Sequence, residues 1–497
     1  MPFGRSHDGA GGVTGRYDSD LLVVGGGTAG MACAIVAAEA GAEVVVVEKT
    51  GDVGGTLHLS SGQLSAAGAR RQRERGIDDD SPDRHFEDVM RLSRGTADPV
   101  IVRKAVEEAA ATIDWLDDLG FEFAPEAPAI YYGHEPYSMP RTYWGPEGGR
   151  SILRVMRPLF DRQVAAGRIR PLFEHRAAAL IQEGGHVVGV RAEAPAGHVE
   201  LRAPFTVLTT GGYGANRSFF EQHTPQAAHL ISACRPSSTG DGIAMALDVG
   251  ARLRGTEYYL PTVGGFEPEP GSGSAGAPPQ FAVLNAAVWP ARAIHVNEQG
   301  ERFFPEDDRS PDRRERALLG QPGQRVWVVF DDASLADGLS FHSGLTADRV
   351  RQLSDCSRVG FKGRDLASLA RQAGLPAEAL EQTVGDWNAA VAGGPDSLGV
   401  LDPGPPITTP PFYAFLVHAV VVATFGGLDV DGDLNVLDTA GKPIPGLFAA
   451  GEALGTAATS GDCFCGGMLA TPALSFGRIL GRELALAARA EAASVAG

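Results

Sequence analysis

The sequence predicts an α/β fold that opens with a parallel strand–helix–strand unit, and three observations predict it. Leu21-Leu22-Val23-Val24 is a short apolar run, fit for a strand buried on both faces. Gly25-Gly26-Gly27-Thr28-Ala29-Gly30 follows at once and leads into residues 31–40, rich in helix formers and ended by Gly41. A second apolar run, Val44-Val45-Val46-Val47, closes on Glu48. The unit takes about 30 residues, the span of one βαβ motif.

Each part of this unit has a chemical reading. Gly25, Gly27 and Gly30 fill the G-x-G-x-x-G pattern. The first glycine allows the tight turn, the second lets backbone approach a pyrophosphate, and the third lets helix and strand pack closely. The helix N-terminus offers unpaired N–H groups and a positive dipole end to phosphate. Glu48 stands where an acid accepts from ribose hydroxyls. From this unit alone, NAD and FAD are both open.

The bulk numbers bound the rest. A chain of 497 residues allows about two to four domains. The formal net charge of −18 argues against nucleic acid as the main partner and gives no attraction to anionic membranes. Five cysteines, an odd number in a large chain, do not read as a disulfide framework. Cys463-Phe464-Cys465 is neither a CxxC motif nor a zinc pair, and no metal-ligand cluster stands out. No apolar run is long enough to span a bilayer. Residues 1–17 lack the apolar stretch of a signal peptide and read as a flexible leader, so the expected location is cytoplasmic.

Farther along, residues 83–120 carry apolar positions at helical spacing. Residues 125–150, dense in Pro, Gly and aromatics, read as an ordered loop. A helix over 150–166 leads to strands near 178–182, 186–192 and 199–209. Residues 263–280 read as a loop and 365–395 as helices. The proline-dense stretch 403–411 marks a boundary, and an Ala-rich helix begins near 470.

Motifs in order then carry a family resemblance. Glu48-Lys49, Gly54-Gly55-Thr56 and Ser60-Ser61-Gly62 resemble the flavin-contacting loop of the fumarate reductase/succinate dehydrogenase flavoprotein superfamily, which includes ketosteroid and tricarballylate dehydrogenases. Thr209-Thr210-Gly211-Gly212, Thr239-Gly240-Asp241-Gly242 and Val296-Asn297 with Gly300, Arg302 and Phe303 match its further motifs. So do residues 445–452, ending in Gly451-Glu452, and Gly466-Gly467. The stretch Arg316 to Gly323 resembles the tricarballylate dehydrogenase branch.

The resemblance implies a Rossmann-type FAD-binding domain split in sequence, over 18–255 and 400–497, with an inserted α+β capping domain over 256–399. Carried over by position, Ala29, Glu48, Lys49, Gly55, Thr56, Ser61, Gly62, Gly211, Asp241, Glu452, Leu469 and Ala470 join the three motif glycines in binding FAD. The position that some members use for a covalent flavin histidine is Thr56, so the flavin is expected to be non-covalent, with His58 in a packing role.

The resemblance also implies the chemistry: a proton and a hydride exchanged across a CH–CH bond next to a carbonyl, with flavin N5 taking or giving the hydride. Dicarboxylate enzymes of the group share three anchors. Here they read Leu260 for a histidine, Ala423 for a histidine and Phe464 for an arginine. The expected substrate is therefore a small-molecule ketone or oxo acid, desaturated at the α,β position, with a separate electron acceptor. An enone or enoate reductase running the reverse reaction and a non-catalytic flavin-binding protein are the alternatives. Candidate catalytic groups are Tyr132, Tyr259 and Arg309 for proton transfer and the Gly467 amide for the enolate. In ketosteroid dehydrogenases a tyrosine shares that oxygen, and Cys463 stands at its position. Arg141 and His134 are candidates to bind an acidic group.

Overall fold

The computed structural model describes residues 13–265, 267, 292–337, 346–356 and 358–496. The central sheet has six strands in the order Asn435–Leu437, Pro443–Ala449, Phe205–Leu208, Leu21–Val24, Val44–Val47 and Ile169–Leu172. All neighbours run parallel except the first pair. Leu21–Val24 and Val44–Val47 are buried throughout, as their unbroken apolar runs require.

Helix Thr28–Glu39 lies against the closing helix Ala470–Ala496. Glycines set the separation: a Cβ on Gly477 would sit 2.4 Å from the Ala29 carbonyl oxygen, and one on Gly481 2.4 Å from that of Cys33. Small residues on both helices therefore bring the two ends of the split domain together. The region read as helical over 83–120 is two helices, Pro82–Leu92 and Pro99–Asp118, N-capped by the Ser81 and Asp98 side chains. Arg94 and Gly95, both at positive φ, turn the chain between them.

A second sheet has the order Val13–Asp18, Gly197–Arg202, His186–Ala194 and Arg176–Glu183. Its first strand corrects the leader expected over 1–17. Residues 1–12 lie outside the described residues, whereas Val13–Asp18 pairs in parallel with Gly197–Arg202. Arg170 covers the Tyr17 ring at 4.0 Å. Backbone pairing holds this segment, which is why its polar, glycine-containing sequence carried no strand pattern.

The cap is built around Phe412–Val421. This strand pairs antiparallel with Arg325–Asp331, Gly360–Gly363 and Thr262–Gly265, and parallel with Ile231–Ser232. The chain therefore returns to the FAD-binding side after Val421, not at 400: the proline-dense stretch leads into the cap's central strand. The loop expected over 263–280 begins as strand Thr262–Gly265, and beyond it only Glu267 is described. Arg302 of the family motif is a cap-building residue. Its guanidinium is buried against Glu306 and Asp396 and lies 4.8 Å over the Trp387 ring. Among the described residues no helix is long and apolar enough to cross a membrane.

Candidate active site

A cleft opens at the carboxyl ends of the parallel strands, bounded by the glycine turn, the loop after Val47 and the start of the closing helix. Gly25 makes its turn at φ +102°, where a Cβ would come 2.5 Å from the Thr209 carbonyl oxygen. A Cβ on Gly30 would come 1.9 Å from the Gly25 carbonyl oxygen, so helix and turn touch there. At Gly27 the nearest protein atom is 3.9 Å from that point, which leaves room for a ligand. No side chain caps helix Thr28–Glu39 and no acid sits in its first turn. Its leading N–H groups are thus available to an anion.

Glu48 is fixed at the strand end. Its Oε2 accepts from Gly26 N at 2.8 Å, and its Oε1 accepts from the Thr50 N–H and hydroxyl. Lys49 turns the other way, its ammonium 2.8 Å from Asp241. Arg176 also reaches Asp241, at 3.1 Å. Burial raises the Asp241 carboxyl, but hydrogen bonds from Lys49 and Arg176 outweigh it and hold the group below its ordinary value. Glu452 is the opposite case. Burial pushes it up, and Thr424 N donates to its Oε1 at 2.9 Å.

Gly25, Gly27, Ala29, Glu48, Lys49, Gly55, Thr56, Gly211, Asp241, Glu452, Leu469 and Ala470 all line this cleft. Gly30 and Gly62 serve from behind it; a Cβ on Gly62 would meet the Gly148 backbone at 2.3 Å. Ser61 is exposed next to Ser60, which lines the cleft. His58 places Nε2 3.0 Å from the Val53 carbonyl oxygen, a packing role. These residues fit a flavin dinucleotide: an open glycine turn with uncapped N–H groups for the pyrophosphate, a fixed acid for the ribose, and a second helix start, at Leu469-Ala470, at the far end.

Sequence reasoning missed Arg235. It lines the cleft and donates to the Gly55 carbonyl oxygen, so it places a cation beside the glycine loops. Its signal was its position just ahead of Thr239-Gly240-Asp241-Gly242.

The candidate substrate side is apolar. Leu260, Phe425, Ala457 and Phe464 form one buried cluster, with Tyr258, Leu319, Val422 and Ala423 packed on it. All three positions where dicarboxylate enzymes carry anchors converge here as Leu260, Ala423 and Phe464. Tyr259 stands beside them, half-buried, its hydroxyl accepting from Gln324 Nε2 at 3.3 Å. It shares a small cavity with Ala423 and Phe425. Tyr132 is 41 % exposed and Arg309 is exposed, and neither belongs to the cluster. Gly467 has φ +78°, and a Cβ there would lie 2.4 Å from the Leu64–Ser65 peptide, so only glycine fits.

Arg141 is not available to an acidic substrate. Its fully buried guanidinium is ion-paired with Asp80 and Asp88. His134 lies beside the apolar cluster, its ring 5.7 Å from that of Phe464.

Residues 20–469 match the model of the FAD binding domain family. The probable fumarate reductase Ifc3 of Shewanella frigidimarina is 30% identical over 476 residues, covering 94% of this chain and 75% of that protein. The 4-oxocyclohexanecarboxylate 2-dehydrogenase of Sinomonas cyclohexanicum is 28% identical, covering 95% and 94%. A solved flavocytochrome c3 fumarate reductase in an open conformation superposes with TM-score 0.75 at 29% identity, over 95% of this chain and 78% of that one. The chain belongs to the FAD binding domain family and is an FAD-dependent oxidoreductase of CH–CH bonds.

Proposed function

We propose that this enzyme desaturates a neutral, apolar-bodied ketone, a cyclic one first, at the α,β position. The observation that carries this is the convergence of Leu260, Ala423 and Phe464 in one apolar cluster. A dicarboxylate there would lose its hydration without gaining a cation, at an effective cost of several kcal/mol per charge. Arg141, the nearby alternative, is neutralised by Asp80 and Asp88. The fumarate reductase relatives thus share scaffold and cofactor, and the anchor substitutions support a different substrate. The Sinomonas relative is named as a dehydrogenase of a cyclic oxo acid, which supports a ring ketone as the substrate here.

Bound FAD supplies the two-electron acceptor for hydride leaving the β-carbon, and a separate partner reoxidises it. The protein's part is to hold the carbonyl, move one proton and exclude water. Tyr259 takes the α-proton; it shares a cavity with Leu260, Ala423 and Phe425, and Gln324 donates to its hydroxyl. The Gly467 N–H meets the oxygen as charge develops on it. The Phe425–Phe464 wall keeps water out.

The test is anaerobic mixing of purified holoenzyme with the neutral saturated ketone cyclohexanone, the enone 2-cyclohexenone and fumarate. Bleaching of the flavin by a saturated ketone supports the desaturase. Reoxidation of photoreduced flavin by an enone, without bleaching by ketones, assigns the reverse direction. Turnover of fumarate overturns the substrate class, and silence toward every compound favours a non-catalytic flavoprotein.

A further inference from the structure

The ketone reading leaves half of the carbonyl site unfilled. Oxygen stabilisation is effective when two or more donors are fixed in place before charge develops. The Gly467 amide is one. The second position, a tyrosine by resemblance, is Cys463, and its thiol is committed elsewhere. Cys463 Sγ donates to the Ser460 carbonyl oxygen at 3.1 Å, lies 3.6 Å from Cys465 Sγ, and is fully buried.

His134 reaches the same segment from the aromatic loop. Its ring lies 5.7 Å from the Phe464 ring at an interplanar angle of 36°. Its Cδ2 is 4.0 Å from where a Gly466 Cβ would stand. The backbone on its C-terminal side is pinned to this segment. Glu135 forms a parallel bridge with Cys465, and the Tyr137 hydroxyl donates to the Gly466 carbonyl oxygen at 2.6 Å. Glu135 also ties the loop to the cap, its Oε2 accepting from the Ser310 hydroxyl at 2.6 Å. The residue is half-buried, and among the described residues its ring nitrogens meet no hydrogen-bond partner. Burial lowers its pKa to about 4, so near neutral pH it is an uncharged imidazole with one N–H to donate.

We propose that His134 is the side-chain half of the carbonyl-binding pair, its imidazole N–H sharing with the Gly467 N–H the substrate oxygen that becomes the enolate. This rests on the ketone reading above and deepens it. A neutral donor suits the site: it stabilises developing negative charge and adds no buried cation to the apolar cluster. It replaces the lost tyrosine from a different loop, with the same capacity to donate one hydrogen bond.

The experiment uses phenolates as stable enolate analogues. The holoenzyme is titrated with 4-nitrophenol and with unsubstituted phenol, and binding is read from the perturbed flavin spectrum. Wild type is expected to bind 4-nitrophenolate saturably and in preference to neutral phenol. His134→Phe keeps FAD content and melting temperature but weakens phenolate binding by about 10–100-fold, the order expected for one lost hydrogen bond to a charged group. His134→Gln, which restores an N–H, recovers most of it. Equal phenolate affinity in wild type and His134→Phe overturns the role of His134 while leaving the ketone site standing. Failure of wild type to bind any phenolate overturns the ketone site and the proposal together.

Discussion

Phe464 meets Phe425 edge-on, ring centroids 5.1 Å apart at 63°. One ring comes from the segment ahead of the closing helix and the other from the return out of the cap. The proposed substrate wall is therefore also a seam between the two halves of the molecule, and changes in it should register as stability as well as specificity. Phe464→Ala is expected to cost about 3–5 kcal/mol, the range for a buried phenylalanine. Phe464→Arg should cost at least as much and should not confer fumarate turnover, because Leu260 and Ala423 remain. Denaturant midpoints and fumarate-dependent flavin reoxidation check both; a stable Phe464→Arg variant that turns over fumarate would contradict the apolar-site reading.

Gly30 is a packing position. A Cβ there overlaps the Gly25 carbonyl oxygen at 1.9 Å, so Gly30→Ala must displace the turn that faces the pyrophosphate. FAD affinity is expected to fall at least about tenfold, read as the flavin-to-protein absorbance ratio after gel filtration. Gly68→Ala is the control: φ is also positive but no atom lies within 4 Å, so only backbone strain of about 1 kcal/mol is expected, with FAD retained.

The cofactor cleft was legible because its requirements are local. A tight turn needs glycine at fixed spacing, and an acid must end the next strand. Gly25, Gly27 and Glu48 meet both within one βαβ unit. What was not legible depends on partners distant in sequence. Arg141 showed a charge, but Asp80 and Asp88, which neutralise it, lie 61 and 53 residues away. Val13–Asp18 forms a strand only because Gly197–Arg202 offers it an edge. The prolines before Phe412 resemble a domain boundary, yet the next strand is the centre of the cap sheet. On the candidate substrate side the reading rested on three anchors missing by resemblance, and the fold gathers those three positions, Leu260, Ala423 and Phe464, into one apolar cluster.

Arg141 can be separated from any substrate role by its energetics. Arg141→Met leaves Asp80 and Asp88 buried without their cation, and breaking a buried pair costs about 3–5 kcal/mol. The expected result is a variant that unfolds at lower denaturant with or without substrate analogue. An Arg141→Met enzyme of wild-type stability that had lost only substrate affinity would reverse this assignment.

Glu315 gives a pH signature of known sign. Burial raises its carboxyl well above the ordinary value, with the Asp312 and Glu135 charges adding to it and Arg314 and Thr262 opposing. The folded state thus retains a proton that the unfolded chain loses at about pH 4.3, so this group makes stability fall as pH rises above that value. Glu315→Gln lacks this loss. Urea midpoints of wild type and variant should converge near about pH 4 and separate by about pH 8, with the variant the more stable.

The cap is latched to the FAD-binding side beside the substrate wall. Arg94 reaches Asp312 at 3.3 Å and Asp462 at 2.6 Å; Arg316 reaches Asp312 at 2.8 Å and Asp462 at 3.4 Å. Asp312 and Arg316 belong to cap helix Pro311–Leu319, whereas Arg94 and Asp462 belong to the FAD-binding side. Alternating charges make the ring attractive at every edge, but both arginines are partly exposed, so salt screens it and each pair contributes about 0.2–1 kcal/mol. Asp312→Asn, or salt at about 0.5 M, should therefore weaken closure by less than about tenfold. Proteolysis at the cap junctions should quicken in step with a rise in KM, and kcat should hold, because the latch bears on closure and touches no reacting atom. Equal salt sensitivity in wild type and in Asp312→Asn would show that the ring is not what holds the cap shut.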